Sequence, residues 1–401
     1  MKNRWTWHQY RIIQVFIGIY YLFCFIIILP RYAWYSSAGF LPDKTICAPM
    51  YVFPNLFWLD DSPAMFLAVF LIGALSAALL VVGSGQRIAA ILLWYIWACF
   101  YGRHPIGGTS LIEPFLGFLL LVCAFVPRLE DDLRWELPPP IFLVSWVVVG
   151  LAYSYSGYTK LMSSTWISGD ALLYDLDTVL ARSGSFKDLV AQAPPWVWMA
   201  ATWAALGAEL LFLPLSIFRR PRIVIWALLL LMHLLVLCLF DILDISIAMV
   251  IVHLYLMDPG WIAPARSGDP EIIFYDASSE YSRWMIRFVV TEGRDAHFRF
   301  APIDGATFRR EVLAAGQRAR PASGFVLAAD GTIRSRGDAL LHVGDALGGF
   351  WRLFALISRR LPRPVVDGGL ALFLRAARRF ISRTADGVPL VPEALRSRLC
   401  P

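Results

Sequence analysis

Charged residues are scarce in this sequence. Only 16% of the 401 residues are charged, whereas soluble domains carry about 25%. The deficit lies in residues 1–262, which hold long apolar runs, and the remainder has the composition of an Arg-rich globular domain. A membrane part followed by a soluble domain is therefore predicted. The net charge of +6 is consistent with basic cytoplasmic loops in a membrane protein. Because the sequence has neither a basic, aromatic-interleaved groove nor zinc-finger spacing, no nucleic-acid partner is expected.

Several short motifs are also missing. The sequence has no CxxC pair, so neither a dithiol nor a zinc site is encoded locally. It has no HxxxH or ExxH pair, so metal ligands would have to come from separate helices, and no metal is expected. The N-terminal apolar run, residues 12–29, is about 18 residues long and exceeds a signal-peptide core. It is expected to be a retained first span, with cleavage near Ser36 as the alternative.

The apolar runs predict an all-α polytopic membrane bundle of about eight transmembrane helices. The candidate spans are residues 12–30, 63–83, 87–101, 111–127, 139–158, 197–216, 222–240 and 243–258. The last two are separate only if the segment from Asp241 to Asp244 turns tightly. Asp244 is expected to be the N-cap of the last span, and Asp241 either lies in the turn or faces the interior.

Basic residues in the short loops predict that the N- and C-termini are cytoplasmic. The Arg- and Ala-rich, Lys-free tail is typical of a GC-rich bacterium, so the expected location is a bacterial inner (cytoplasmic) membrane. Two outer loops are long, 31–62 and 159–196, and the second is expected to hold a short helix near the membrane surface. A protein partner or a peptide substrate is expected on this outer side, and membrane lipid is the other expected partner.

Ionisable residues inside apolar runs are the candidate functional groups. Lys160 ends the fifth run, and Tyr153 lies seven residues earlier, on the same helix face. A strip of small residues, Gly150, Ser154 and Gly157, would allow another helix to pack closely. Lys160 is either a desolvated amine that acts as a base or a snorkelling anchor at a helix end.

Three further residues lie within apolar runs: Glu209, His233 and His253. Each could relay protons, contact a cofactor or be a satisfied interior group. Together with Lys160 they predict one shared polar cavity in the bundle.

The stretch YSYSGYTKLMSSTWISGDAL, residues 153–172, resembles the signature of the horizontally transferred transmembrane (HTTM) family, which includes the vitamin K-dependent gamma-carboxylases. The matching positions are Tyr155, Ser156-Gly157, Lys160-Leu161, Trp166 and Gly169. Bacterial members also share a C-terminal pattern, which here comprises His233, Asp244 to Ser246, His253-Leu254 and Asp258 to Trp261. The resemblance covers about residues 10–262.

This resemblance implies that Lys160 is a catalytic base. Its expected neighbours are the polar residues of the predicted cavity, Tyr153, His233, His253 and Glu209. The resemblance further implies a quinone/quinol or lipid cofactor and a substrate or cofactor loop formed by Gly157, Trp166, Gly169 and Asp170. The large lumenal domain of the carboxylases is missing, and their Asn-His has no clear match near Arg103-His104-Pro105. Gamma-carboxylation itself is therefore not expected.

After a linker at 263–270, residues 271–384 predict a C-terminal α/β thioredoxin-like domain, and 385–401 form a tail. The predicted order is a strand at 271–276, a helix from Ser279 to Thr291, the strand HFRFAPI, a helix at 306–318, the hairpin GFVLAADGTIRS and further helix.

The domain resembles the DCC-type thiol-disulfide oxidoreductases, whose first strand ends in Tyr-Asp-Gly-Asp-Cys-x-x-Cys. Here Asp276 is kept, but Ser279 and Ser282 replace both cysteines. Dithiol exchange needs a thiolate at a helix N-terminus, so a redox-inactive domain is expected, with Ser279 as an N-cap. A docking, regulatory or stabilising role remains. The arginines of the domain either form a solvated face or contact anionic headgroups.

Three functions stay open at this stage: a membrane enzyme with a quinol-like or lipid cofactor, a non-catalytic membrane scaffold or partner subunit, and a small-molecule or proton transporter. The third is the weakest, because no convincing internal repeat is found.

Overall fold

The computed structural model describes residues 5–39, 53–104, 112–126, 135–265, 270–293, 297–313, 325–327, 331–369 and 398–400. The chain divides into two compact units. The first consists mainly of Tyr10–Arg128 and Pro138–Met257, and the second of Lys2–Gln9, Leu129–Leu137 and Asp258–Pro401.

Residues 7–256 are almost entirely helical where they are described. The longer helices are α1 (Trp7–Ile28), α3 (Pro63–Val82), α4 (Gln86–Arg103), α5 (Ile112–Phe125), α6 (Pro139–Lys160), α10 (Pro195–Ser216), α11 (Arg219–Leu239) and α12 (Leu243–Leu256). Short helices lie between them: α2 (Leu56–Leu59), α7 (Ser164–Ser168), α8 (Ala171–Leu176) and α9 (Ser185–Ala191). A 3-10 turn, Leu29–Tyr35, extends α1.

Five of these helices are long and apolar enough to cross a membrane, which indicates a membrane protein. They are Trp7–Tyr35, Pro63–Val82, Pro139–Lys160, Pro195–Ser216 and Arg219–Leu239. Large apolar side chains such as Ile26, Leu75 and Val224 are 60–67% exposed on their outer faces, as contact with hydrocarbon requires. The other three predicted spans correspond to α4, which has Arg87 and Arg103 near its ends, and to the 14-residue helices α5 and α12.

The local sequence explains where several helices begin and end. Pro63, Pro139 and Pro195 each occupy the first position of a helix. A backbone N–H has no partner within the helix at that position, so its absence in proline costs no hydrogen bond. Gly83 ends α3 with a φ of 91°. The prediction that Asp244 is an N-cap is wrong, because α12 begins at Leu243. Asp244 lies in the first turn instead, where a carboxylate interacts favourably with the helix dipole.

The predicted outer loop at 159–196 contains three short helices, α7 to α9, rather than one. Its middle is attached to the end of α11 by two backbone hydrogen bonds, Arg182 N to Leu239 O (2.8 Å) and Asp241 N to Leu180 O (2.7 Å). The Arg182 side chain also pairs with Asp241 (Nε to Oδ1, 2.8 Å). Asp241 is therefore a turn residue that holds the loop and does not face the interior.

The second unit contains a four-stranded sheet with the order β2-β1-β3-β4. The strands are β1 (Glu271–Tyr275), β2 (Phe298–Pro302), β3 (Phe325–Leu327) and β4 (Ile333–Ser335). β2 is parallel to β1, while β3 runs antiparallel to β1 and to β4. The helices are α13 (Glu280–Glu292), α14 (Ala306–Phe308), α15 (Arg336–Leu347) and α16 (Gly349–Ser358).

The predicted helix at 306–318 is shorter and irregular where it is described. α14 continues only as a π-type turn, Arg309–Leu313, and residues 314–318 lie outside the described residues. Among its described residues, the second unit has two buried clusters. One contains Tyr275, Ile286, Val289, Val290, Phe298, Phe300, Ala339, Val343 and Ala346, and the other Phe274, Ala301, Phe308 and Val312.

A buried carboxylate joins three segments of the second unit. Glu292, at the end of α13, is only 4% exposed. It accepts hydrogen bonds from Thr6, from His8 (Nδ1 to Oε1, 2.9 Å), from Gln9 (Nε2 to Oε2, 3.2 Å) and from Trp351 (Nε1 to Oε2, 2.5 Å). Burial alone raises the pKa of Glu292, but its hydrogen bonds outweigh burial and hold the pKa below its usual value.

Candidate functional site

The predicted strip of small residues on α6 packs against α10. A Cβ atom at Gly157 would lie 2.7 Å from the backbone nitrogen of Leu210, and one at Gly150 would lie 2.8 Å from Cδ1 of Leu213. Between them, the Ser154 hydroxyl donates to the Leu210 carbonyl (3.2 Å). The two backbones can therefore approach closely, and this approach brings residues of the two helices together.

Lys160, in the last turn of α6, forms an ion pair with Glu209 of α10. Its Nζ also donates to Ser156 Oγ (3.1 Å) and lies 4.9 Å from the centre of the Trp166 ring. The Lys160 side chain is 22% exposed and that of Glu209 only 6%. Lys160 is thus not an isolated amine. Its ammonium group has a carboxylate, a hydroxyl and an aromatic face around it.

Tyr153 joins two histidines on neighbouring helices. Its hydroxyl oxygen lies 2.8 Å from Nε2 of His233 on α11 and 2.8 Å from Nε2 of His253 on α12. Tyr153 is 6% exposed, His233 8% and His253 0%. The Nδ1 atoms of both histidines are buried and have no hydrogen-bond partner in the described part of the chain.

The chemistry of one hydroxyl between two imidazoles fixes the tautomers. A hydroxyl has one proton to donate, so with neutral rings one histidine accepts at Nε2 and the other must donate from Nε2. The accepting ring then carries its proton on Nδ1, and the donating ring has a lone pair there. One buried Nδ1 is therefore a donor and the other an acceptor. This arrangement can pass a proton from one imidazole through the hydroxyl to the other.

Aromatic side chains surround this group. Phe212 is fully buried, with its ring 4.9 Å from that of Tyr153 and stacked on Trp146 at 5.5 Å. Trp226 donates to the backbone carbonyl of His253 (2.7 Å), which fixes the position of α12 beside α11. These contacts keep bulk water away, and hydrogen bonds and charges are stronger without it.

The ion pair and the Tyr153 group influence one another. The charge of Lys160 acts on His233 and the charge of Glu209 acts on Tyr153. Tyr153 and Lys160 are two helical turns apart, about 10 Å along α6. The structure thus brings all five predicted catalytic residues into one region of the first unit, as two electrostatically coupled groups.

Of the residues predicted to form the substrate or cofactor loop, Gly157 and Trp166 lie close to Lys160 or to the contact of α6 with α10. Gly157 allows the approach of α10, and Trp166 covers the Lys160 ammonium. Gly169 ends α7 with a φ of 90°, and a Cβ there would lie 2.4 Å from Cγ of Met199. Asp170 accepts a hydrogen bond from Ser168 (2.7 Å), and none of its hydrogen bonds in the described chain reaches Lys160.

Two residues near Lys160 were not predicted as site residues. Ser156 is its hydrogen-bond partner and precedes Gly157 in the motif. Asp175, in α8, is within electrostatic reach of Lys160. Burial raises the pKa of Asp175, and the positive charge of Lys160 partly offsets that rise. The acidic residues after Trp166 were the available signal, but sequence alone does not show which of them turns toward Lys160.

An apolar groove of about 190 Å³ lies between α10 and α11, beneath α8. Its wall includes Ala208 and Met232, which directly precede Glu209 and His233 in the sequence. The lining residues are Leu172, Trp198, Ala201, Ala204, Ala205, Ala208, Leu228, Leu229, Leu231, Met232, Leu235, Val236, Leu239 and Phe240. Such a surface fits a hydrocarbon chain.

The serine motif of the second unit is a helix cap. Ser279 accepts a hydrogen bond from the backbone of Ser282 (3.4 Å), which confirms the predicted N-cap of α13. Asp276 accepts from the hydroxyl (2.6 Å) and the backbone (2.9 Å) of Ser278, and these two bonds lower the pKa of Asp276. A hydroxyl at positions 279 and 282 cannot form a disulfide.

Among the described residues, no group of three or more His, Cys, Asp and Glu side chains could hold a metal ion. No protein-family model, no curated protein and no solved structure matches this chain.

Proposed function

We propose that this chain is a membrane enzyme of the HTTM type that uses Lys160 as a base. The observation that carries the proposal is the Lys160–Glu209 ion pair, which is placed beside Tyr153 and two histidines within helices suited to a membrane. Ionisable groups are costly at such positions and are retained mainly for function.

Glu209 has a specific role in this proposal. An ammonium group is not a base, so Lys160 must first give up its proton, and Glu209 is its direct ion-pair partner. Transfer from Nζ to the carboxylate gives a neutral pair, whose formation is favoured by poor solvation. The free amine then removes a proton from a substrate or cofactor, and Trp166 limits the access of water. Tyr153, His233 and His253 can carry a proton onward.

A quinol or another lipid is the proposed cofactor class. The apolar groove between α10 and α11 would hold its chain. The Nδ1 atoms of His233 and His253, which have no partner among the described residues, offer a donor and an acceptor to polar atoms. When bound, a quinol supplies an acidic hydroxyl and two reducing electrons.

The proposed topology has about eight spans in a bacterial inner membrane with both termini in the cytoplasm. The short helices α7 to α9 would then lie on the outer side. A peptide substrate or protein partner would approach Lys160 from that side, past Trp166 and Asp175.

The second unit is proposed to be a DCC-type, thioredoxin-like domain without redox activity. The sheet order, the parallel β1 and β2, and the antiparallel β3 and β4 support this assignment. The cap formed by Ser279 keeps the helix start that the family needs, although the thiols are absent. A docking, regulatory or stabilising role remains for this domain.

A non-catalytic scaffold is the second candidate. Two observations favour it: Lys160 is already neutralised by Glu209, and the second unit has serines where a dithiol would stand. In a scaffold, the ion pair would only hold α6 to α10.

Cofactor retention is the first test. The protein is purified from its native membrane and its extract is analysed for quinones and lipids by mass spectrometry. Ala204→Phe fills the groove, whereas Leu211→Phe adds the same ring on an exposed face of α10. The proposal expects a bound species that is lost in Ala204→Phe and kept in Leu211→Phe. Equal amounts in both variants would refute the groove as the cofactor site.

Function in cells is the second test. Lys160→Ala and Lys160→Arg are expected to abolish the growth phenotype that depends on this protein, at unchanged protein level. Lys187→Ala, in the same loop, is expected to retain it. A scaffold would tolerate Lys160→Arg, because arginine can still pair with Glu209.

A further inference from the structure

The second unit has one exposed apolar face. Among the described residues after Met257, every large hydrophobic side chain in the exposed class lies between positions 354 and 365. These residues, which form the α16 face, are Phe354 (54% exposed), Leu356 (46%), Ile357 (58%), Leu361 (48%) and Val365 (55%). The other side chains of that class belong to the segment with the membrane helices, where hydrocarbon contact explains them.

The helix α16 is packed on one side only. Gly349, Ala355 and Ser358 are buried against the rest of the unit. Phe354 and Ile357 lie three residues apart on α16 and begin an exposed apolar stripe. Leu361 and Val365 continue this stripe in the sequence, beyond the end of α16 at Ser358. A contiguous exposed apolar patch on a soluble domain marks an interaction site.

Basic residues predominate around this stripe, and one of them, Arg359, is paired with Asp345. Residues 349–366 contain four arginines and no acidic residue. Arg359 and Arg363 line a pocket of about 430 Å³ together with Arg334, Ser335 and Ser358, and Asp338 and Asp367 lie in its wall. Guanidinium groups bind phosphate oxygens through paired hydrogen bonds. Phosphate groups therefore suit the border of the apolar stripe.

We infer that the α16 face is a binding surface for anionic phospholipid, with the apolar stripe inserted at the level of the headgroups and the arginines on phosphate. A helix with apolar residues on one face and several basic residues beside it is the pattern of an interfacial helix. The chain carries helices suited to a membrane, so the second unit meets a lipid surface at high effective concentration. This inference does not depend on the proposed enzymatic function.

Photo-crosslinking of the full-length protein tests the inference. Ile357 is replaced by the photo-reactive amino acid benzoylphenylalanine, and the protein is placed in nanodiscs of phosphatidylcholine with or without phosphatidylglycerol. Ala306 is the control position, because it is exposed on the same unit outside the α16 face. After illumination, mass spectrometry of the peptide identifies lipid adducts, and gel electrophoresis detects cross-linked dimers.

The expected result is a phosphatidylglycerol adduct at position 357 and little or none at 306. Arg360→Glu with Arg363→Glu is expected to reduce this adduct more than about twofold, and the matching lysine substitutions to keep it. A dimer cross-link, or an adduct yield at 357 no higher than at 306, would overturn the inference. Leu361 is the second labelling position if the Ile357 replacement does not fold.

Discussion

The ammonium of Lys160 and the carboxylate of Glu209 meet between the last turn of α6 and the middle of α10. Glu209 is the more deeply buried partner, with a side chain only 6% exposed. A buried carboxylate on an apolar helix needs a cation nearby. The ion pair therefore determines where the Lys160 side chain points.

Removal of one partner is expected to destabilise the protein. Glu209→Gln leaves the Lys160 ammonium without its counter-charge, which costs about 3 kcal/mol at a partly buried site. The thermal unfolding midpoint in detergent should fall clearly. The double variant Lys160→Met with Glu209→Gln should regain most of the loss, and Lys187→Ala should change little. If Glu209→Gln unfolds at the wild-type temperature, the pair is not formed in solution.

Histidine-selective ¹⁵N NMR is expected to show different tautomers for the two membrane histidines. In the wild type, one of His233 and His253 should carry its proton on Nδ1 and the other on Nε2, because Tyr153 has a single proton to share. Tyr153→Phe should remove this difference and cost about 1–3 kcal/mol, since two buried ring atoms lose their partner. Identical tautomers in the wild-type protein would contradict the hydrogen-bond arrangement.

Two glycine substitutions are expected to differ in their effect. Gly157→Ala places a methyl group 2.7 Å from the backbone of Leu210, which cannot move aside as a side chain could. A loss of about 1–3 kcal/mol is expected. Gly207→Ala on α10 meets no atom within 4 Å and should be neutral or slightly stabilising. Thermal unfolding of both variants gives the comparison, and equal midpoints would argue against close packing of α6 on α10.

The second unit is expected to lose stability in acid through Glu292. Its pKa in the folded state lies below its ordinary value of 4.5. Its contribution is therefore complete above the unfolded pKa and is lost as the pH falls through the folded pKa. The protection of the α13 amides against hydrogen exchange, relative to their intrinsic exchange rates, should fall below about pH 4.5. The difference between wild type and Glu292→Gln should shrink over the same range, while Glu311→Gln, an exposed control, should behave as wild type. If the difference between wild type and Glu292→Gln grows as the pH falls, the pKa of Glu292 is raised in the folded state and not lowered.

Restored cysteines are expected to form a disulfide if the second unit has the proposed DCC-type geometry. Ser279→Cys with Ser282→Cys places one thiol at the N-cap of α13 and the other three residues along it. Peptide mapping should show a bridge that reductant removes. Ser278→Cys with Ser282→Cys is the control, because Ser278 precedes the cap. Equal bridging in both pairs would speak against a family-specific geometry.

The sequence predicted most of the helical segments and the pairing face of α6, because long apolar runs and small residues at fixed spacing have few other solutions. The N-cap of α13 followed from Ser279 alone. In the described part of the chain, five helices meet the length and hydropathy of a span. The predicted count of about eight depends on α4, α5 and α12, which are shorter or less apolar.

The partners of the polar residues could not be predicted. Lys160 and Glu209 are separated by 49 positions, and Tyr153 lies 80 and 100 positions from its histidines. Only the packing of α6, α10, α11 and α12 decides which groups meet. Asp241 was left with two roles for the same reason, since its partner Arg182 lies in a distant loop.

Proton movement through Tyr153 would have a built-in polarity. A proton that enters at the lone pair of one Nδ1 displaces the Nε2 proton of that ring to the tyrosine oxygen. The tyrosine proton moves to the second ring, which releases its own Nδ1 proton. Both hydrogen bonds are now reversed, so a second proton cannot follow in the same direction. The route therefore carries one proton per cycle. Both hydrogen bonds must return to their first direction before another proton can pass the same way.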